Sequence, residues 1–168
     1  MSRFNLFIPK QAVGANLVYF DLFNASGSNK ELIIKSVKPV VSGAVAVTGA
    51  VAVDLLLSYT SAVGTGGTAA TLQGTAIDAA TFTKLAPGQS NLDALITARL
   101  TPTGGATAGA ILGYASVFTE ETNGGSYREL DLVVAPIIVP TGAGIRVVQG
   151  AVASVGNIGF VVNFEFKD

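Results

Sequence analysis

Every second residue from Phe160 to Phe166 is large and apolar: Phe160, Val162, Phe164 and Phe166 stand between Val161, Asn163 and Glu165. Side chains repeating every two residues share one face of an extended strand. The stretch Asn157 to Phe166 is therefore predicted to be a strand with its aromatic face in a core, and Glu165 and Lys167 fall on the opposite face. A face of this kind has to be buried against a second layer. Strand signals recur along nearly the whole chain, separated by Gly, Pro, Asn and Ser, and no long stretch keeps a helical apolar period. The fold class is all-β.

About eight strands are expected. Leu17 to Phe23 ends in the turn formers Asn24 to Asn29 and is followed by Glu31 to Val41, which reads as a hairpin. Lys30, Lys35 and Lys38 decorate the second of these strands as a solvated or edge face. Val51 to Thr60, Ala94 to Thr101 and Ile145 to Gln149 are further strands, and Asp78 to Leu85 is a short strand or a helical turn. Ile111 to Thr119 and Tyr127 to Val134 flank Asn123-Gly124, a strong hairpin signal. Eight strands with short turns suit a single-domain jelly roll or Greek-key β-sandwich. An immunoglobulin-like sandwich is less favoured without its Cys and Trp. The N-terminal MSRFNLFIPK is too short and interrupted for a signal peptide. Residues 1–16 are expected to form an ordered arm and 17–168 the sandwich.

Charge is scarce. Charged residues make up 12% of the 168 and hydrophobic residues 49%, about half the charged share usual for a soluble domain. A monomer this small has too much surface to cover with so few charges, so part of its exterior is expected to be hidden in an assembly. From Pro39 to Thr83 there is no Lys or Arg, and only Asp54 and Asp78 are acidic. The net charge of −1 gives no electrostatic footprint for nucleic acid or an anionic membrane. The apolar run Gly43 to Leu57 is shorter than a membrane span and holds Thr48 and Asp54. Within it GAVAVTGAVAV alternates Ala with Val, which lets another sheet or subunit come close; Val45, Val47, Val51 and Val53 are candidate intersubunit or capsid contacts, as are Phe4, Phe7 and Ile8 of the arm.

Catalytic chemistry has few places to start. The chain has no His and no Cys, which removes most hydrolase triads, thiolate metal sites and disulfides. Gly64-Thr-Gly-Gly-Thr68 lacks the Gly-Lys-Ser/Thr ending of a phosphate-cradling loop and reads as a flexible connection. The densest acidic group is Glu120, Glu121, Glu129 and Asp131. It lacks the spacing of a calcium loop, and paired carboxylates for glycoside hydrolysis would want an aromatic subsite beside them. Glu120, Glu121, Asn123 and Tyr127 are instead read as an exposed loop tip. No cofactor or metal is expected. A glycan-binding module remains the rival from another class. It would draw its aromatic platform from Tyr19, Tyr59, Tyr114 or Tyr127, with Tyr127 beside the 122–126 turn the best placed.

Three passages carry a resemblance: VYFDLFNASGSNKELIIKSVKPVVSG; the Gly-rich middle with Arg99-Leu-Thr-Pro-Thr-Gly-Gly105; and PIIVPTGAGIRVVQG followed by IGFVVNFEF. In these the chain resembles the small jelly-roll virion proteins of tailed bacteriophages known as capsid decoration or cement proteins. The resemblance implies a homotrimer on the capsid surface of the virion, made in the host cytoplasm, that clamps neighbouring subunits of the major capsid protein. The alternative within virion proteins is a head-fibre or tail-fibre module that recognises host glycans.

Overall fold

The computed structural model describes residues 1–41, 51–75, 78–104, 108–119 and 130–167. Among these the ordered elements are all strands: β1 Ser2–Ala12, β2 Val18–Asn24, β3 Glu31–Val41, β4 Val53–Thr60, β5 Thr68–Ala69, β6 Thr71–Leu72, β7 Thr81–Lys84, β8 Ile96–Leu100, β9 Ala108–Val117, β10 Ile137–Val139, β11 Ala143–Gln149 and β12 Asn157–Lys167. They form two six-stranded sheets, ordered β10-β3-β12-β1-β7-β6 and β5-β8-β2-β11-β4-β9. The sheets pack as a sandwich around one core.

The alternation in β12 is what seats it. Ile158, Phe160, Val162, Phe164 and Phe166 are fully buried, each such side chain contributing about 1.5–3 kcal/mol of transfer free energy. In register beside them, Phe4 lies opposite Phe164, Leu6 opposite Val162 and Ile8 opposite Phe160. The Phe4 ring stacks on Phe164 at 5.7 Å and on Phe166 at 5.4 Å. Phe160 reaches across the sandwich to Tyr19 and Phe20 of the second sheet, at 5.1 and 5.5 Å between ring centroids.

The connectivity is that of a jelly roll. Four antiparallel pairs join early strands to late ones: β1 with β12, β2 with β11, β3 with β10 and β4 with β9. Successive pairs alternate between the sheets, and β12 also pairs β3 as β11 pairs β4. These eight strands make the wrapped double Greek key. The segment between β4 and β9 supplies the other four, placing β8 and β5 beside β2 and β7 and β6 beside β1.

Three expectations change. Residues 1–16 are not an arm outside the sandwich: β1 lies between β12 and β7, and Phe4 and Ile8 are fully buried in the chain's own core. Its apolar residues at 4, 6 and 8 carry the same two-residue period as β12, so the strand completes that layer between β12 and β7. Phe7 is half-buried on the outer face, opposite Val161 and Thr81. Val53 likewise belongs to the core, Val51 is 43% exposed, and Val45 and Val47 lie outside the described residues.

Secondly, β2 and β3 are not a hairpin. They sit in opposite sheets, so that Leu22 and Leu32 bury their side chains from the two sides of one core. The buried Asn24 side chain holds the crossing: its Nδ2 donates to the Lys30 carbonyl at 2.7 Å and the Val139 carbonyl at 3.3 Å, and its Oδ1 accepts from Ser28 Oγ at 2.5 Å.

Thirdly, residues 130–136 form no strand against β9. They pass to the other sheet, where Leu132 N–H donates to the Val37 carbonyl and Asp131 Oδ1 accepts from the amides of Val37 and Val133, each at 2.9 Å. Leu132 is buried there. Gly113 allows the passage, since a Cβ at that position would stand 2.0 Å from the Leu132 carbonyl oxygen. Glu120, Glu121, Asn123 and Tyr127 lie outside the described residues.

Candidate interaction surface

The outer face of the second sheet carries two contrasting rows. In one, Val18, Val148, Leu56 and Tyr114 lie opposite one another across β2, β11, β4 and β9. In the next, Arg99, Asp21, Arg146, Ser58 and Ile111 do the same across β8 to β9. The first is an apolar ridge ending in an aromatic ring. The second is a charged band with a carboxylate at its centre.

A bulge aligns the exposed end of these rows. Tyr114 pairs with Leu56 and Gly113 with Leu57, but Ser58 pairs with Ile111, leaving Leu112 as the extra residue. Ile111 and Tyr114, three apart in sequence, therefore share the outer face. They are 64% and 60% exposed, and Phe118, just past the end of β9, is 63% exposed. Large apolar side chains standing in a line at a sheet margin, backed by half-buried Leu56 and Val148, mark a contact surface. Sequence reasoning passed over this stripe. Its signal was the absence of any charge from Ala108 to Thr119, but the bulge that brings Ile111 and Tyr114 together has no local signature.

Within the stripe, Tyr114 Oη donates to Asp54 Oδ1 at 2.8 Å and Ser116 Oγ to the same oxygen at 2.6 Å. These two hydroxyls hold the Asp54 carboxyl below its ordinary titration range, so the charge persists beside the ring. Asp21 is the opposite case. Fully buried in the outer face, it accepts Gly64 N–H at 2.5 Å and Arg99 N–H at 3.0 Å. Burial raises its pKa, against the lowering effect of both amides and of the Arg99 charge. The Gly64 loop, expected to be flexible, is thus tied down, and Thr65 is bridged to Gly104 through its amide at 2.7 Å.

The outer face of the first sheet is more polar. Glu165 is nearly buried between Lys35 Nζ at 2.8 Å and Arg3 Nε at 3.5 Å, and Asn163 donates to Asn5 at 2.9 Å. Here Lys35 neutralises a strand carboxylate rather than only decorating an edge. Beside these groups lies a shallow depression of about 320 Å³ lined by Met1, Arg3, Lys35, Leu85, Asn163 and Glu165. Among the described residues no three His, Cys, Asp or Glu side chains cluster as a metal site would require.

The tyrosines separate by environment. Tyr19 is buried and donates to Gln149 Oε1 at 2.7 Å, Tyr59 donates to the Ile138 carbonyl at 2.9 Å, and Tyr114 presents its ring to solvent. Burial pushes the Tyr19 phenol well above its ordinary value of 10. A phenol whose folded pKa is raised favours the folded state only while neutral, so stability falls as pH rises past the unfolded value near 10. Alkaline titration followed at 295 nm is expected to leave at least one of the four tyrosines un-ionised until the chain unfolds. Four tyrosines titrating together in the native protein would contradict this.

Comparison with known proteins returns no matching family model, no matching curated protein and no matching solved structure.

Proposed function

We propose that the chain is a structural virion protein that decorates and stabilises a bacteriophage capsid by bridging neighbouring major capsid subunits, as a homo-oligomer that the sequence resemblance makes a trimer. It is made in the host cytoplasm and acts on the capsid surface, with no catalytic step and no cofactor. The observation that carries the reading is the exposed stripe Ile111, Tyr114 and Phe118 on the face of a jelly roll with scarce charge. A rigid sandwich with a line of uncovered apolar side chains is built to pack against another protein surface.

The test is binding to purified capsids that lack the protein. Saturable binding at a defined lattice position by cryo-electron microscopy, with a raised capsid melting temperature, is the expected result. Replacing Ile111 and Tyr114 together by Arg is expected to weaken binding at least tenfold, since two apolar anchors are lost and two charges must be desolvated. A chain that never associates with particles would sink the reading.

One observation favours a second reading, a fibre-type glycan-recognition module. Tyr114 sets an exposed ring beside the ionised Asp54, an arrangement able to stack a sugar and accept its hydroxyls. Binding on a glycan array that is lost in Tyr114→Ala, without capsid binding, would favour it.

A further inference from the structure

Both ion pairs between described residues meet at Glu165, on the outer face of the first sheet. Lys35 Nζ stands 2.8 Å from its Oε1 and Arg3 Nε 3.5 Å from its Oε2. Two cations thus face one nearly buried carboxylate, and the cluster keeps one positive charge over. Arg3 presents that surplus. Its guanidinium meets Glu165 through Nε alone, and among the described residues its two terminal nitrogens have no hydrogen-bond partner. The backbone beneath is fixed: Arg3 N–H donates to Gln89 Oε1 at 3.3 Å, and its carbonyl accepts Gln89 Nε2 at 2.6 Å and Leu85 N–H at 3.1 Å. A guanidinium held at its base and at Nε, with the side chain 69% exposed, offers its planar fork ready-placed for a second carboxylate.

We propose that the depression of about 320 Å³ beside this cluster binds a hydroxylated carboxylate of the sugar-acid class. The surplus charge selects an anion, and the fork of Arg3 suits a carboxylate. Lys35 gives Glu165 one of its three donors and keeps others for the ligand. The hydroxyls follow from Asn163. Its Nδ2 donates to Asn5 Oδ1 at 2.9 Å, which leaves its own Oδ1 open to accept from a ligand hydroxyl. At the rim, the exposed apolar side chains of Met1 and Leu85 can cover the C–H face of a ring. An inorganic anion would leave Asn163 and this rim unused, and a neutral sugar would leave the Arg3 fork unpaired. The volume lies at the small end of the range for ligand sites, roughly 300–1,000 Å³, and suits a single ring. Glu165 itself makes no ligand contact. With both oxygens occupied, it sets the two cations in place. The site rests on neither reading of the Ile111–Tyr114–Phe118 stripe, which belongs to the other sheet.

Titration of the isotope-labelled full chain with glucuronate, glucose and acetate, followed by NMR at neutral pH and low salt, reads this directly. Glucuronate is expected to give saturable shifts with a dissociation constant on the order of a millimolar. Acetate is expected to bind at least tenfold more weakly and glucose not at all. Arg3→Gln is expected to weaken glucuronate binding at least tenfold. Arg99→Gln makes the same charge change on the second sheet and is expected to leave binding unchanged. No saturable shift with glucuronate, glucose or acetate binding as tightly as glucuronate, binding unmoved by Arg3→Gln, or an equal loss with Arg99→Gln overturns the proposal. Should Arg3→Gln fail to fold, the pattern of shifts in the wild type decides. Shifts confined to Arg3, Lys35, Leu85 and Asn163 uphold the site, and shifts centred on Tyr114 or spread over both sheets overturn it.

Discussion

Phe160→Ala is expected to lower the unfolding free energy by about 3–5 kcal/mol, the largest loss from any single truncation in this core. The side chain is fully buried and lies opposite Ile8 on one neighbour and Pro39 on the other. Its ring also touches Tyr19 and Phe20 of the facing sheet. Truncation removes burial from both sheets together, forfeits two tilted ring contacts of about 0.5–1.5 kcal/mol each, and leaves a cavity that strands pinned in register on both sides cannot close. Domains of this size are stable by only about 5–15 kcal/mol, so the loss is a large fraction of the whole. Urea unfolding checks it: the midpoint falls while the slope stays constant. Phe7→Ala, on the half-buried outer face of the first sheet, should cost far less because no enclosed cavity forms. Equal losses for the two would mean that the sandwich interior is not where the stability resides.

Asp21→Asn is expected to cost about 1–3 kcal/mol, although it changes one atom. Each carboxylate oxygen accepts one backbone amide, from Gly64 and from Arg99. The amide side chain has one acceptor to offer, so one buried N–H is left facing another donor. The variant should also free the 61–67 loop, seen as faster hydrogen exchange at Gly64 and Thr65. Its pH dependence has a definite sign. Because burial raises the folded pKa above the ordinary 3.8, the folded state holds its proton longer than the unfolded chain. Stability from this group therefore declines as pH rises from near 3.8 through the folded value. The gap between wild type and Asp21→Asn, measured by urea unfolding at several pH values, should narrow over that window. A gap that widens with pH would mean that the two amides and Arg99 outweigh burial.

Much of the sandwich is legible residue by residue. The inward faces of β4, β11 and β12 follow from their alternation, because which face a side chain takes is decided by its own strand. The same logic failed at the N-terminus only in assignment: Phe4, Leu6 and Ile8 alternate just as clearly, but nothing local distinguishes an arm from a strand inserted between β12 and β7. The segment Asn24 to Lys30 shows the limit differently. Its composition announces a chain reversal, and the reversal occurs, but whether the chain returns in the same sheet or crosses to the other depends on Val139 and Lys30 carbonyls meeting the Asn24 amide. The contact surface was less legible than the fold. Phe4, Ile8 and Val53 are apolar because they are core, while Ile111, Tyr114 and Phe118 are exposed, and a list of apolar residues does not separate the two.

By itself, then, the sequence determined an all-β chain with scarce charge and no His or Cys, and with strands whose buried faces are written in their own period. Strand partners were decided only in three dimensions, because a two-residue period says which face is buried but not what lies beside it, over separations as long as that of Ser2 from Phe166. The same holds for the burial of Asp21, whose charged type suggests a surface until Gly64 and Arg99 supply their amides. It holds too for the line of Ile111 and Tyr114, which exists only because pairing with β4 leaves one residue over.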